Sequence, residues 1–320
     1  MPDQRDTLAF ALDRDPPEVP LGKRWLFLNA APLPELADAT HEQPCRPGFL
    51  ALRHAGRDVH SRVDETGFDG AALLLTRSRR GNERLLARAW NAVREGGRVV
   101  ACGAKTAGVA PLRKWAAART DVHASLPKHH AVAFTLRREG DDWPVPEHFA
   151  EVEDGWWTTP GAFSADGPDP ASAMLADHLD DVAGRVADLG AGWGYLSAKA
   201  LERDIESVAL FEADHAALEA ARRNVEDERA SFHWHDVVGE PIAQRFDTVV
   251  MNPPFHTGRA ADPALGTAFI DRAAAILAPG GRLLMVANRQ LPYERQLEAR
   301  FGRWEKVEER AGFKVLTATR

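Results

Sequence analysis

Cysteine is nearly absent from the 320 residues: there are two, Cys45 and Cys102. Two isolated cysteines exclude a disulfide framework and a cysteine-based metal centre, so a reducing, cytoplasmic setting and no metal site are expected. Long apolar runs are also missing; none approaches the ~20 residues that a membrane-spanning helix needs. The first twenty residues lack the basic start and apolar core of a secretion signal and carry Asp3, Asp6, Asp13, Asp15 and Glu18 instead. What remains is the composition of a globular protein, 44% hydrophobic and 27% charged. The length suits about two domains.

The net charge of −7 argues at first sight against a polyanionic partner. Its distribution reverses that argument. Residues 1–150 hold 22 basic and 19 acidic residues, whereas residues 151–320 hold 18 and 28. Between Arg77 and Arg119 eleven basic residues face only Glu83 and Glu95. Such local excess favours nucleic-acid binding. A solvated Arg-rich helix face is the plainer alternative.

In the second half, short apolar strands alternate with helices of about ten residues. The expected strands are Val186 to Leu189, Ser207 to Phe211, Phe232 to His235, Thr248 to Met251 and Arg282 to Ala287. The helices lie between them, at Tyr195 to Leu201, Ala216 to Val225 and Ala268 to Leu277. This pattern predicts an α/β fold with a mostly parallel sheet. Trp304 to Arg310 and Phe313 to Thr319 read as a hairpin around Ala311-Gly312, giving an antiparallel closing strand. The first half echoes the second. Phe68-Asp69 matches Phe246-Asp247 at an offset of 178, and Gly96-Gly97-Arg98 matches Gly280-Gly281-Arg282 at an offset of 184. The second copy therefore has about six extra residues between the landmarks. The N-terminal half reads as a degenerate copy of the same Rossmann-like fold, without a glycine-rich turn after its early strand Trp25 to Leu28. Coincidence between two ordinary α/β segments is the alternative. The domain boundary is placed between 1–145 and 146–320, inside the proline-bearing stretch Asp141 to Glu153.

Asp188-Leu-Gly190-Ala-Gly192-Trp-Gly194 follows a strand and opens a helix. Glycine lets the backbone approach a ligand, and the helix N-terminus presents free N–H groups. The G-x-G-x-G spacing differs from the G-x-G-x-x-G of dinucleotide enzymes, which disfavours a nicotinamide-dependent dehydrogenase. Glu212, 22 positions past Gly190, ends the next strand, where an acid binds ribose hydroxyls. Asp236 follows the third strand, where a carboxylate can accept from an adenine amine. Asp188 would offset the cationic ammonium and sulfonium of S-adenosyl-L-methionine. Trp193, inside the turn, is expected to pack.

Asn252-Pro253-Pro254-Phe255 follows the fourth strand, and these four are the candidate catalytic residues. Methylating an exocyclic amine requires its lone pair to be freed from the conjugated ring. The Asn252 side-chain oxygen can accept one N–H and the Pro253 carbonyl the other. Two prolines hold those acceptors in place, and Phe255 offers a flat face for a planar substrate. His256 is a candidate contact to phosphate or base. His233, His235, His129 and His130 read as ordinary.

These residues carry a family resemblance. The chain resembles the ribosomal RNA small-subunit methyltransferase C family and its large-subunit relative, methyltransferase G. The resemblance rests on Pro160-Gly-Ala-Phe163-Ser164-Ala-Asp166-Gly, the Asp188 to Gly194 turn, Asn252-Pro-Pro-Phe-His256-Thr-Gly258, Gly280-Gly281, Val286-Ala-Asn288, Leu291-Pro-Tyr293 and Gly312-Phe-Lys-Val. It implies two tandem class I methyltransferase domains, the first degenerate, and S-adenosyl-L-methionine-dependent methylation of a guanine N2 amine in ribosomal RNA, with 16S RNA the expected target. It also implies that Phe163 and Ser164, and a helix after them, approach the cofactor. Ala191 and Trp193 depart from what relatives often carry in the glycine turn, and the N-terminal half matches mainly over Leu73 to Val109.

On this reading the N-terminal domain supplies RNA affinity through Arg77, Arg79, Arg80, Arg84 and Arg88, and the guanine must be unpaired or flipped to reach Asn252. The partner is ribosomal RNA or a ribosomal subunit, with no membrane involved; the oligomeric state stays open. Adenine N6 and protein glutamine are the alternative targets, since each is a planar amine. A non-catalytic RNA-binding protein of the same fold is a third reading, opposed by the presence of Asp188, Glu212 and Asn252.

Overall fold

A computed structural model describes residues 4–14, 24–254 and 263–320. The chain divides into two units, Met1–Ala150 and Glu151–Arg320. Among the described residues no helix is long and apolar enough to cross a membrane.

In the first unit the strands are β1 (Trp25–Leu28), β2 (Thr40–Glu42), β3 (Val59–His60), β4 (Phe68–Leu74), β5 (Val93–Ala104), β6 (Val122–Lys128) and β7 (Ala131–Arg137). They form one sheet in the order β3-β2-β1-β4-β5-β7-β6. The helices are α1 (Gln4–Arg14), α2 (Arg46–His54), α3 (Arg79–Ala92) and α4 (Val109–Ala117). A short ribbon, β8 (Ala150–Glu151) with β9 (Trp157–Thr158), follows.

The second unit has β10 (Gly184–Leu189), β11 (Ile205–Glu212), β12 (Ala230–Trp234), β13 (Phe246–Met251), β14 (Leu277–Asn288), β15 (Arg303–Arg310) and β16 (Phe313–Thr319). Their order is β12-β11-β10-β13-β14-β16-β15, the same as in the first unit. The first five strands pair in parallel; β16 pairs antiparallel with β14 and β15. The expected α/β fold and antiparallel closing strand are both present. Helices α5 (Pro170–Ala176), α6 (Tyr195–Leu201), α7 (His215–Asn224), α8 (Pro263–Ile276) and α9 (Glu294–Arg300) complete the unit.

Side-chain alternation explains why these segments are strands. In β13, Val249 and Met251 join an apolar cluster with Phe269 and Ile270 of α8, whereas Val250 joins the opposite cluster with Met174 of α5 and Leu196 of α6. A strand covered on both faces reads as a continuous apolar run, which is the signature of a central parallel strand. α5 escapes periodicity because it is only seven residues long. It is instead marked by its start, where Asp169 accepts from the Ser172 N–H at 2.9 Å and Pro170 stands in the first turn.

The strand registers establish the duplication. Trp25 pairs with Gly70 as Val186 pairs with Thr248. Gly70 pairs with Arg98 as Thr248 pairs with Arg282. Both offsets noted in the sequence recur in these pairings. Even a local detail repeats: the Arg24 N–H donates to Asp69 at 3.0 Å, and the Arg185 N–H donates to Asp247 at 2.9 Å. α6 has no helical counterpart in the first unit, where a single 3-10 turn, Pro34–Leu36, lies between β1 and β2.

Candidate active site

β10 delivers Asp188 and Leu189 to the carboxyl edge of the sheet, and the chain then turns through Gly190, Gly192 and Gly194. Their φ angles are 75°, 56° and 91°, a region that L side chains enter only with strain. A Cβ at Gly194 would also crowd Val225 and Ala221, at 3.1 and 3.2 Å. The turn ends as the N-terminus of α6, whose Ser197 hydroxyl donates to Asp188 Oδ2 at 2.7 Å.

Asp188 is 1% exposed, and its Oδ1 has no hydrogen-bond partner among the described residues. Burial pushes its carboxyl up to about 7, against the opposing hydrogen bond from Ser197. Glu212, at the end of β11, accepts from the Gly192 N–H through Oε2 and from the Asp214 N–H through Oε1, each at 2.7 Å. Burial pushes this carboxyl up to about 7 as well. A nearby cation favours the ionised forms of these two carboxyl groups, one buried and one half-buried, at adjacent strand ends. The orphaned Oδ1 of Asp188 and the open backbone of the glycine turn therefore fit a cationic ligand such as S-adenosyl-L-methionine.

Asn252 follows β13. Its Nδ2 donates to Asp169 Oδ2 and to the Ser172 hydroxyl oxygen, both at 2.9 Å. A carboxylate only accepts, so the amide must turn its NH₂ toward Asp169, and Oδ1 is left as an acceptor. Pro253 is buried and Pro254 exposed. The Pro254 ring lies 3.9 Å from where a Gly190 Cβ would sit, so the loop borders the glycine turn. Phe255 and His256 lie outside the described residues.

One cleft brings together Phe163, Ser164, Gly190, Gly192, Trp193 and Asn252, with Asp169 and Ser172 on its wall. Phe163 is 58% exposed at its rim. Ser164 adopts φ 52° and donates to the Gly167 carbonyl at 2.7 Å. Trp193 packs against Trp156 and Tyr195 and donates to the Phe163 carbonyl at 3.2 Å. Asp188, Glu212 and Gly194 do not line the cleft; Glu212 holds the N–H of Gly192, which does. Asp236 follows β12 at the same carboxyl edge. Its Oδ1 accepts from the Val238 N–H at 3.0 Å, closing a local turn that engages a short acidic side chain.

The arginines expected to face RNA separate into two groups. Arg77, Arg79 and Arg80 are exposed, Arg79 in an ion pair with Glu83 at 2.9 Å. Arg84 turns inward and donates to the Pro146 carbonyl; burial, with Arg88 and Arg62 adding repulsion, lowers its guanidinium to about 10. The expectation for Arg88 needs correction. It grips both carboxylate oxygens of the buried Glu42 at 2.6 Å and also donates to the Val63 carbonyl at 2.9 Å. A guanidinium committed to a buried carboxylate and a carbonyl is a structural tie, not a contact for solvent-borne phosphate.

Asp169 and Ser172 were missed in the sequence. The Asp-Pro-x-Ser helix start was a legible signal for α5. Nothing local points from there to an asparagine some eighty residues later.

Comparison with known proteins matches residues 155–317 to the family model described as the methyltransferase small domain. Ribosomal RNA small subunit methyltransferase C of Hahella chejuensis is 33% identical over 188 residues, covering 57% of this chain and 55% of that protein. The chain thus spans about half the length of several curated relatives it matches. The protein of the same name from Idiomarina loihiensis is 27% identical over 281 residues, covering 83% of this chain and 84% of its own length. Among solved structures, a T. thermophilus 16S rRNA N2 methyltransferase in complex with AdoMet and guanosine superimposes with a TM-score of 0.81 at 28% identity. It covers 99% of this chain and 91% of that one.

Proposed function

The chain belongs to the methyltransferase small domain family, and we propose that it transfers the methyl group of S-adenosyl-L-methionine to the exocyclic N2 amine of a guanine in 16S ribosomal RNA. The observation that carries this reading is the clamped amide of Asn252, whose NH₂ is held by Asp169 and Ser172 so that Oδ1 is presented as an acceptor. The names of the relatives support the choice of RNA and of the N2 position.

S-adenosyl-L-methionine supplies an electrophilic methyl group on a cationic sulfur. Asp188 and Glu212, once ionised, offset the positive charge of such a ligand. The glycine turn lets it approach the backbone without a Cβ in the way. On this reading Asn252 Oδ1 accepts one N–H of the target amine and the Pro253 carbonyl accepts the other. Holding both hydrogens out of the base plane weakens the conjugation of the nitrogen lone pair. No base is needed before transfer, because the methylated nitrogen is acidic and releases its proton to water. Two prolines keep the acceptors where the reaction needs them, so their ordering costs little at the moment of reaction.

The test is transfer of labelled methyl from S-adenosyl-L-methionine to 16S RNA or small subunits taken from cells lacking the protein. Nucleoside analysis should find the label on N2-methylguanosine. Label on adenosine N6 or on glutamine would replace the proposed target while keeping the amine chemistry. No transfer to any of these would overturn the reading.

A further inference from the structure

One wall of the cleft is not built from the seven-stranded sheet. Residues 157–169 run from β9 to the cap of α5, bring Phe163 and Ser164 to the rim, and end at Asp169, which holds the Asn252 amide. Within this segment Gly161, Ser164 and Gly167 adopt φ of 100°, 52° and 146°, and the Phe163 ring is left exposed. Positive φ at a serine beside an apolar ring in solvent persists only where other contacts over-determine the backbone. Two hydrogen bonds shape the loop from within: the Thr158 hydroxyl donates to the Ala165 carbonyl and the Ser164 hydroxyl to the Gly167 carbonyl, both at 2.7 Å. Neither attaches it to the rest of the unit.

The attachment comes from Asn224, the last residue of α7. Its Oδ1 accepts from the Trp157 N–H at 2.8 Å, and its Nδ2 donates to the Trp157 carbonyl at 2.8 Å and to the Trp193 carbonyl at 2.7 Å. The amide thus pairs with both backbone groups of Trp157, as a neighbouring strand would, and spends its second hydrogen on the glycine turn. This requires one acceptor and two donor hydrogens on a single side chain, which an amide has and a carboxylate lacks. Trp193 extends the tie. Its indole N–H donates to the Phe163 carbonyl at 3.2 Å, and its ring stands against Trp156 and Tyr195 at centroid separations of 5.4 and 5.8 Å. The start and the middle of the wall are therefore both fastened to the turn that borders the cleft.

We infer that Asn224 is a positioning residue for cofactor binding: with Trp193 as its strut, it clips the 157–169 wall onto the glycine turn and holds the cleft formed before the ligand arrives. The inference rests on the S-adenosyl-L-methionine-dependent reading above. A wall that had to order on binding would subtract its ordering entropy from the affinity, whereas one fixed in advance does not. Among the described residues the cleft is lined on this side by Phe163, Ser164 and Trp193 and not by Asn224. Asp169, which orients Asn252, is held separately by capping α5. Loss of the clip therefore falls on cofactor affinity and spares the transfer step.

The experiment is calorimetric titration of the full-length protein with S-adenosyl-L-methionine, joined to methyl-transfer kinetics on 16S RNA and to hydrogen exchange read by mass spectrometry. Asn224→Ala should raise the cofactor dissociation constant about tenfold, the scale of a lost hydrogen bond or two. Its kcat at saturating cofactor should stay within about twofold, the signature of lost binding rather than lost chemistry. Amides of residues 156–167 should exchange faster, while β13 and β14 keep wild-type protection. Asn224→Asp, which has the same shape but no hydrogens to give, should lose as much affinity as Asn224→Ala. If Asn224→Ala does not fold, Trp193→Phe carries the test: it keeps the ring, loses the indole N–H, and should weaken cofactor binding about threefold. Unchanged cofactor affinity in these variants, or a fall in kcat with affinity intact, overturns the clip and leaves the proposed function standing. Lost protection spread through β13 and β14 also overturns it, because Asn224 would then be a residue of general stability. Wild-type protein that binds no S-adenosyl-L-methionine overturns the proposed function, and the clip falls with it.

Discussion

The two units share a strand order and a register, yet one carries a cleft suited to a cationic cofactor and the other has its equivalent positions closed. Strand register places Phe27 where Asp188 stands, Gln43 where Glu212 stands and Leu74 where Asn252 stands. Phe27 and Leu74 are buried apolar side chains. Gln43 retains half of the role of its counterpart. Its Oε1 accepts from the Cys45 N–H at 2.8 Å, as Glu212 accepts from Asp214, but its Nε2 donates to the Ala30 carbonyl where Glu212 accepts from Gly192. Replacing a carboxylate by an amide thus reverses the polarity of the contact to the following loop. The lesson is that a duplicated sheet keeps its architecture through apolar alternation alone, while ligand chemistry rests on a few polar positions at one edge that are free to change.

The comparison is broken most severely at Asn252. Asn252→Ala removes the acceptor that the first unit lacks, and kcat should fall by roughly a hundredfold or more, the scale seen when one preorganised polar group is lost from a reaction centre. The dissociation constant for S-adenosyl-L-methionine, measured by calorimetry, should stay within about twofold; a large rise would assign Asn252 to cofactor binding instead. Arg88→Ala attacks the other unit. It leaves the Glu42 carboxylate buried without its counter-charge, holding only the Val63 N–H, which should destabilise by about 3–5 kcal/mol in denaturant melts. A loss below about 1 kcal/mol would return Arg88 to the surface role read from the sequence.

Glu212→Gln writes the first unit's amide into the second. Loss of a charged hydrogen-bond acceptor and of negative charge should weaken cofactor binding roughly tenfold or more. Unchanged affinity would show that the polarity difference between the copies is irrelevant to the ligand. Asp169→Asn keeps an effective helix cap but allows the Asn252 amide to turn over. We expect kcat to fall about tenfold with cofactor affinity unchanged, on the ~1.4 kcal/mol scale of one such hydrogen bond. In an Asn252→Ala background the same substitution should do nothing further, because a residue acting through Asn252 has no separate route; additive losses would mean a separate structural role.

The smallest effect is with pH. Burial raises Asp188 and Glu212 to about 7 in the folded protein. For a raised carboxyl the stabilising contribution is complete below its unfolded value, near 4, and is lost as pH rises through about 7. The melting temperature of the cofactor-free protein should therefore decline between about pH 4 and pH 7 and level off above, and decline less in Glu212→Gln. A cationic ligand favours the ionised carboxylates, so cofactor affinity should rise over the same interval with release of protons. Flat profiles in both measurements would place the two carboxyls in water.

Much of the fold was legible because its signals are local. Val249-Val250-Met251 alternates between two apolar clusters, the glycine turn demands positive φ, and Phe68-Asp69 repeats as Phe246-Asp247. α5 and α9 went unread, whereas α6, equally seven residues long, was legible because the glycine turn marks its start. The candidate site was legible where one strand end carries its own chemistry, at Asp188, Glu212 and Asn252. It was illegible where a contact joins distant segments, as Asp169 and Ser172 do with Asn252. Arg88 shows the converse: residue type invited a ligand role, and the fold spent it on Glu42.

By itself the amino-acid order determined the duplicated α/β architecture, the position of the glycine turn and the asparagine that follows β13, because periodicity, backbone freedom and side-chain chemistry act within a few residues. Tertiary structure alone decided which oxygen of Asn252 faces outward, which carboxyls are driven toward neutrality and which arginines reach solvent. Those outcomes depend on burial and on partners dozens of residues away, and electrostatics and hydrogen bonding respond to distance in space rather than to distance along the chain.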